Sequence, residues 1–197
     1  MKKALSIIFA ILFIDQAVKI WIKTNMVLGE EYVVFDWFII HFTENVGMAF
    51  GMELGGEYGK LFLSLFRIFA VGAIGYYLYS VIKRGVSNIV IISLSLVFAG
   101  ALGNIIDSTF YGILFSDSYG HVANFLPEEG GYAGLLYGRV VDMLYFPLFD
   151  GRFPEWLPFV GGDYFSFFSA IFNIADSAIT VGMALIILFQ KQFISEG

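Results

Sequence analysis

Residues 4–22, 61–82, 89–106 and 166–189 are four stretches dominated by apolar side chains, separated by segments where polar residues, glycine and proline return. Each stretch is as long as the roughly eighteen residues needed to cross about 30 Å of hydrocarbon, so each is predicted to be a membrane-spanning helix. The first follows Lys2 and Lys3 in the manner of a secretory signal peptide. Asp15, Gln16 and Lys19 stand where a small-residue cleavage site would be needed, so it is read as an uncleaved anchor.

The connections are unequal. Lys2, Lys3, Lys83, Arg84 and Lys191 lie at the amino end, the short second connection and the carboxyl end. Positive residues beside spans favour the cytoplasm, so both termini are expected there. The two outer connections are 23–60 and 107–165, and they carry most of the acidic residues. In the first, YVVFDWFIIHF (32–42) is rich in β-branched and aromatic residues and predicts short strands at the membrane surface. The second is interrupted by Gly120, Pro127, Gly130, Gly131, Pro147, Pro154, Pro158, Gly161 and Gly162, which predicts an irregular cap. No internal repeat or separating linker is visible. The expected fold is all-α membrane, four transmembrane helices with a small extracytoplasmic β-rich and irregular cap, in one integral membrane domain spanning 1–197.

Composition agrees with this and narrows the chemistry. Of 197 residues, 58% are hydrophobic and 14% charged, and mean hydropathy is +0.79. A net charge of −6 is the wrong sign for a phosphate backbone, which excludes nucleic acid as the partner. There is no cysteine and there are only two histidines, His41 and His121, so thiolate chemistry is out, no metal site is expected and no cofactor is implied. Both histidines lie in outer loops and are assigned no role.

The informative residues are the polar ones inside the spans. A carboxylate at a helix centre costs about 2.5 to 3.5 kcal/mol, which makes Asp15 and Asp176 candidates for function. At about 1.5 Å rise per residue, Asp15 lies roughly 17 Å above the inner edge of its helix, Asp176 about 22 Å above Lys191, and Asn104 about 24 Å above Asn88. Asp107 is a turn higher. Asn104 and Asp107, like Asn173 and Asp176, are three apart and share a helix face, so both pairs can look into one bundle interior at one depth. Ordinary structural readings compete: Asp15 and Lys19, four apart with the acid first, suit an ion pair, and a neutral Asp176 could simply fasten helices.

Five segments resemble one family, the lipoprotein signal peptidases (signal peptidase II): DQAVK (15–19), ENVGMAFG (44–51), GALGNIID (100–107), GRVVD (138–142) and FNIADS (172–177). Each alone is weak; all five, in order on a four-span frame, are specific. The resemblance implies a membrane aspartic endopeptidase whose catalytic pair is Asp142 and Asp176. It implies supporting or substrate-binding roles for Asp15, Lys19, Asn45, Gly47, Asn104, Asp107 and Asn173. Its substrate would be a prolipoprotein, cut before a diacylglyceryl-modified cysteine. It also implies a bacterial inner-membrane location, lipid surroundings, a site near the outer leaflet and a monomer.

The sequence departs from the family pattern twice. Ser108 stands where an Arg usually follows the third-helix Asp; Arg67 is favoured as the replacement cation, with Arg139 as the second candidate. Tyr111-Gly112 is echoed by Tyr137-Gly138, so the stretch between them, like 146–165, reads as an inserted outer loop. The rival from another class is a non-enzymatic membrane transporter or lipopeptide-binding helper that uses the intramembrane acids as a relay.

Overall fold

The computed structural model of the protein describes residues 1–46 and 56–196. The first apolar stretch forms α1 (Lys2–Asn25). It runs into the hairpin β1 (Glu31–Phe35) and β2 (Phe38–Asn45), and α2 (Gly56–Arg84) follows. A tight turn at Gly85 leads to α3 (Asn88–Ile106). Segments Lys2–Asn25, Gly59–Arg84 and Asn88–Leu114 are long and apolar enough to cross a membrane. Phe9 on α1 and Phe62, Phe69 and Tyr76 on α2 are exposed, as expected of helix faces whose solvent is lipid.

Two sequence-based boundaries are corrected. The third span does not stop at residue 106: the helix continues through a wide π turn, Asp107–Tyr111, and one more turn, α4 (Gly112–Leu114). Asp107 is fully buried, and its charge is met by partners from α1 and β3. The last apolar stretch is not helical from residue 166. Strands β3 (Val140–Tyr145), β4 (Phe149–Arg152), β5 (Tyr164–Phe167) and β6 (Ile171–Phe172) come first, and α5 starts only at Ile174. The Asn173 side chain accepts from the Asp176 amide while the Asp176 carboxylate accepts from the Asn173 amide, a reciprocal cap that fixes the helix start. Thus α5 (Ile174–Leu188) has 15 residues, and a short α6 (Gln190–Glu196) follows it.

Helix α3 is the centre of the bundle and touches α5 and α1 most extensively. Gly100 makes this approach possible, because a side chain there would run into the Ala175 carbonyl. Above the helices lies a four-stranded antiparallel sheet in the order β1-β2-β3-β6, beside the separate β4-β5 hairpin. Ile22, Met26, Phe42, Tyr111, Phe115, Val141 and Met143 form the core that joins sheet to helices. The alternation of strand side chains then turns Asp142, between Val141 and Met143, to the opposite face.

The first inserted stretch leaves and rejoins the frame at one place. Gly138 donates to the Ser108 carbonyl at 2.9 Å and lies against the Asp107 carbonyl and the Gly112 amide with no room for a Cβ. The two Tyr-Gly echoes of the sequence are therefore spatial neighbours. That is the physical reason about two dozen residues can be inserted without displacing β3 from the helices.

Candidate active site

The start of α5 meets acids from two other elements, α1 and β3. Asp15, on α1, accepts from the Ala175 amide at 2.9 Å, and Asp176 occupies the third position of the same helix. Both carboxylates thus sit where the helix dipole and unpaired amides favour negative charge.

Asn173 joins the two acids of the expected dyad. Its side-chain amide donates to Asp142 Oδ1 at 2.6 Å, to the Val141 carbonyl at 3.3 Å and to Asn104 Oδ1 at 3.1 Å, while its backbone amide donates to Asp176 Oδ2 at 3.4 Å. Asn104 donates to Asp176 Oδ1 at 2.7 Å. Asn45, at the end of β2, also hydrogen-bonds Asp142. Burial, with the charge of Asp176 nearby, pushes the Asp142 carboxyl up to about 7 against the opposing pull of Lys19, Asn173 and Asn45.

Beneath this pair lies a second, fully buried charge cluster. Lys19 Nζ is 2.9 Å from Asp15, 2.8 Å from Asp107 and donates to Asn104 at 2.9 Å. Gln16, which sequence reasoning passed over, donates to Asp107 at 2.8 Å and accepts from the Tyr111 hydroxyl at 3.2 Å. Asp107 also accepts from the Val141 amide at 3.3 Å, which ties the strand carrying Asp142 to the helices. The helical pairing of Asp15 with Lys19 is therefore real, yet it is one edge of a network reaching Asp176 through Asn104.

The two candidate cations separate. Arg67 lines a cavity of about 230 Å³ between α2, α3 and α5 together with Asn104 and Asp176, and attracts the Asp176 charge. Ala70, Val71, Ile74, Ala101, Ile105 and Ile179 complete its apolar wall. Arg139 instead pairs with Glu44 at 3.0 Å, and Glu44 also pairs with Lys23; neither Glu44 nor Lys23 was singled out by sequence reasoning. A larger hollow of about 780 Å³ lies in the inserted loop, between Ser116 and Tyr132, but it contains none of the expected site residues. The smaller cavity is the one where carboxylate, amide and guanidinium converge. Gly47 lies outside the described residues, as does most of its motif. Among the described residues, no group of three or more acid or histidine side chains is placed to hold a metal ion.

A family model described as Signal peptidase (SPase) II matches residues 7–191. A lipoprotein signal peptidase from Porphyromonas gingivalis is 51% identical over 195 residues, 98% of this chain and 85% of the relative. One from Amoebophilus asiaticus is 38% identical over 188 residues, 93% of this chain and 75% of the relative. Two solved structures of bacterial membrane enzymes align with TM-scores of 0.60 at 24% and 26% identity. The first covers 98% of this chain and 90% of its own length, the second 95% and 92%.

Proposed function

Because the chain belongs to the signal peptidase II family, a family of bacterial inner-membrane hydrolases that remove signal peptides from lipoprotein precursors, we propose that Asp142 and Asp176 are its catalytic dyad. The observation that carries this assignment is Asn173, which hydrogen-bonds both carboxyl groups at once, one through its side chain and one through its backbone.

Two carboxyl groups so placed cannot both ionise cheaply, and one proton is shared between them. Asp142, almost wholly buried on β3, holds that proton; Asp176, facing Arg67 and steadied by Asn104, is the base. Asp176 takes a proton from water as its oxygen attacks the scissile carbonyl, while Asp142 gives its proton to the developing oxyanion. As the tetrahedral intermediate collapses, the proton on Asp176 passes to the leaving amine and the hydroxyl proton returns to Asp142. The dyad ends in its starting state with one peptide bond hydrolysed.

Substrate reaches this site from the side. The apolar wall between α2, α3 and α5 suits a signal peptide still in the bilayer, cut before a diacylglyceryl-modified cysteine. In this reading α5 is the fourth span, short because its amino end begins at the depth of the chemistry; both termini are cytoplasmic and the dyad lies toward the outer leaflet. A monomer in lipid is the state that the family resemblance favours. Cleavage of a diacylglyceryl-modified prolipoprotein by purified protein in lipid tests the function directly. A folded protein inert toward a validated substrate would overturn it in favour of a binding or transport role.

Two further outcomes are expected. With Asp142 as the acid, kcat/KM falls as pH rises through about 7, since its proton is present below that value and lost above it. A pH–rate profile with no descending limb near there would exclude Asp142 as the proton donor. Arg67→Lys, which keeps charge and loses the planar fork, is expected to lower kcat/KM roughly tenfold. Unchanged kinetics in that variant would show that no guanidinium geometry is being used.

A further inference from the structure

The sheet has two faces, and the catalytic proposal uses one. In the β2–β3 register Thr43 pairs with Asp142, Glu44 with Val141 and Asn45 with Val140. Thr43 and Asn45 therefore share the face of Asp142, while Glu44 points with Val141 to the opposite, buried face. There the Glu44 side chain, only 2% exposed, pairs with Lys23 from the end of α1 and with Arg139 at 3.0 Å. Ser118, from the inserted loop, accepts from Lys23 at 2.9 Å and donates to Glu44 at 3.4 Å.

Glu44 stands between two paired cations, with Asp117 adding negative charge beside Lys23 and Lys60 adding positive charge near Arg139, and aromatic rings cover the paired cations. Lys23 lies 4.9 Å over the Tyr132 ring and 5.5 Å over Phe115; Arg139 lies 5.1 Å over Tyr132 and 5.3 Å over Tyr119. The Tyr132 hydroxyl also accepts from the Arg139 amide at 2.7 Å. The first inserted loop thereby closes over the back of the catalytic strands, its rings and Ser118 holding the cations that hold Glu44.

We propose that Glu44 is a positioning residue for Asp142: clamped from behind by Lys23, Arg139 and Ser118, it fixes the end of β2 so that its neighbour Asn45 delivers a hydrogen bond to the catalytic carboxyl. This rests on Asp142 being a dyad member. The clamp explains why an outer loop was worth adding without touching the reacting groups, and it gives Arg139 a place behind the site instead of in it. Asp142 faces Asp176 of α5 and Lys19 of α1, neither of which the clamp touches, so the effect of Glu44 is carried through Asn45.

The test is the kinetics of Glu44→Gln, Asn45→Ala and the double variant on a diacylglyceryl-modified prolipoprotein. Glu44→Gln is expected to lower kcat roughly tenfold with little change in KM. Loss of the Asn45 hydrogen bond frees Asp142 to hold its proton to higher pH, so the descending limb should move up by roughly half a pH unit. The double variant should be no slower than Asn45→Ala alone, since both act on one contact. A fall in kcat with the limb unmoved, or losses that multiply, would reduce Glu44 to a fold-stabilising residue. Should Glu44→Gln fail to fold, Ser118→Ala, which removes one Glu44 donor, must move the limb in the same direction by a smaller amount, and a stationary limb overturns the proposal. If instead Asp142→Asn stays active, the dyad assignment itself fails; an inactive Asp142→Asn with a kinetically silent Glu44→Gln defeats only the clamp.

Discussion

Asp142→Asn and Asp176→Asn are each expected to cut the rate of prolipoprotein cleavage by about 10³-fold or more while the protein remains folded. The substitution keeps the shape of each side chain and removes the ability to hold or move the proton. Asn at 142 can still meet Asn173 after its amide turns, and Asn at 176 keeps an oxygen that can accept from the Asn173 backbone amide. The helix cap and the β3 contacts are thus retained, and thermal unfolding should change little beside the kinetic loss. Because acid and base act in one step, Asp142→Asn/Asp176→Asn should be no slower than either single variant. A single variant retaining a tenth of the activity would show that its carboxyl is not in the proton path, and another of the buried acids, Asp15 or Asp107, would have to be considered.

How far this site could be read from sequence depended on whether a signal was local. The N-x-x-D of Asn173 and Asp176 is a helix-start signature as well as a family motif, yet the run of apolar residues before it drew the span boundary back to residue 166. Hydropathy does not distinguish Tyr164–Phe167 and Ile171–Phe172 as strands from the same residues as helix, whereas the capping box does. At about 1.5 Å rise per residue Arg67 lies roughly 24 Å above Lys83, level with Asp176, and the two line one cavity. Lys23 carried no such local signal, and Glu44, though it opens the ENVGMAFG segment, was given no role of its own. Lys23 looks like a residue at the end of a span, and Glu44 like an outer-loop acid; only the pairing of β2 with β3 and the return of the inserted loop bury them together. Asp107, by contrast, was a candidate from its helix face, and what the fold adds is its burial against a cation of α1 and an amide of β3.

Lys19→Met is expected to cause the largest loss of stability, about 3 to 5 kcal/mol, because it leaves Asp15 and Asp107 buried side by side without their shared cation. Met matches the length of the lysine stem, so little of the loss comes from a cavity. Each acid keeps neutral donors: the Ala175 amide for Asp15, Gln16 and the Val141 amide for Asp107. These orient a carboxylate but do not cancel its charge. The apparent Tm in detergent should fall by roughly 10 °C, taking about 2 to 4 °C per kcal/mol for a chain of this size. Cleavage should weaken as well, since Asp107 anchors β3 through Val141 and Lys19 holds Asn104, the donor to Asp176. Adding Asp107→Asn removes one of the two stranded charges, so Lys19→Met/Asp107→Asn is expected to recover part of the lost Tm. If Lys19→Met unfolds at the wild-type temperature, the buried carboxylates do not depend on that cation, and the link from α1 through Asn104 to Asp176 does not hold the site together.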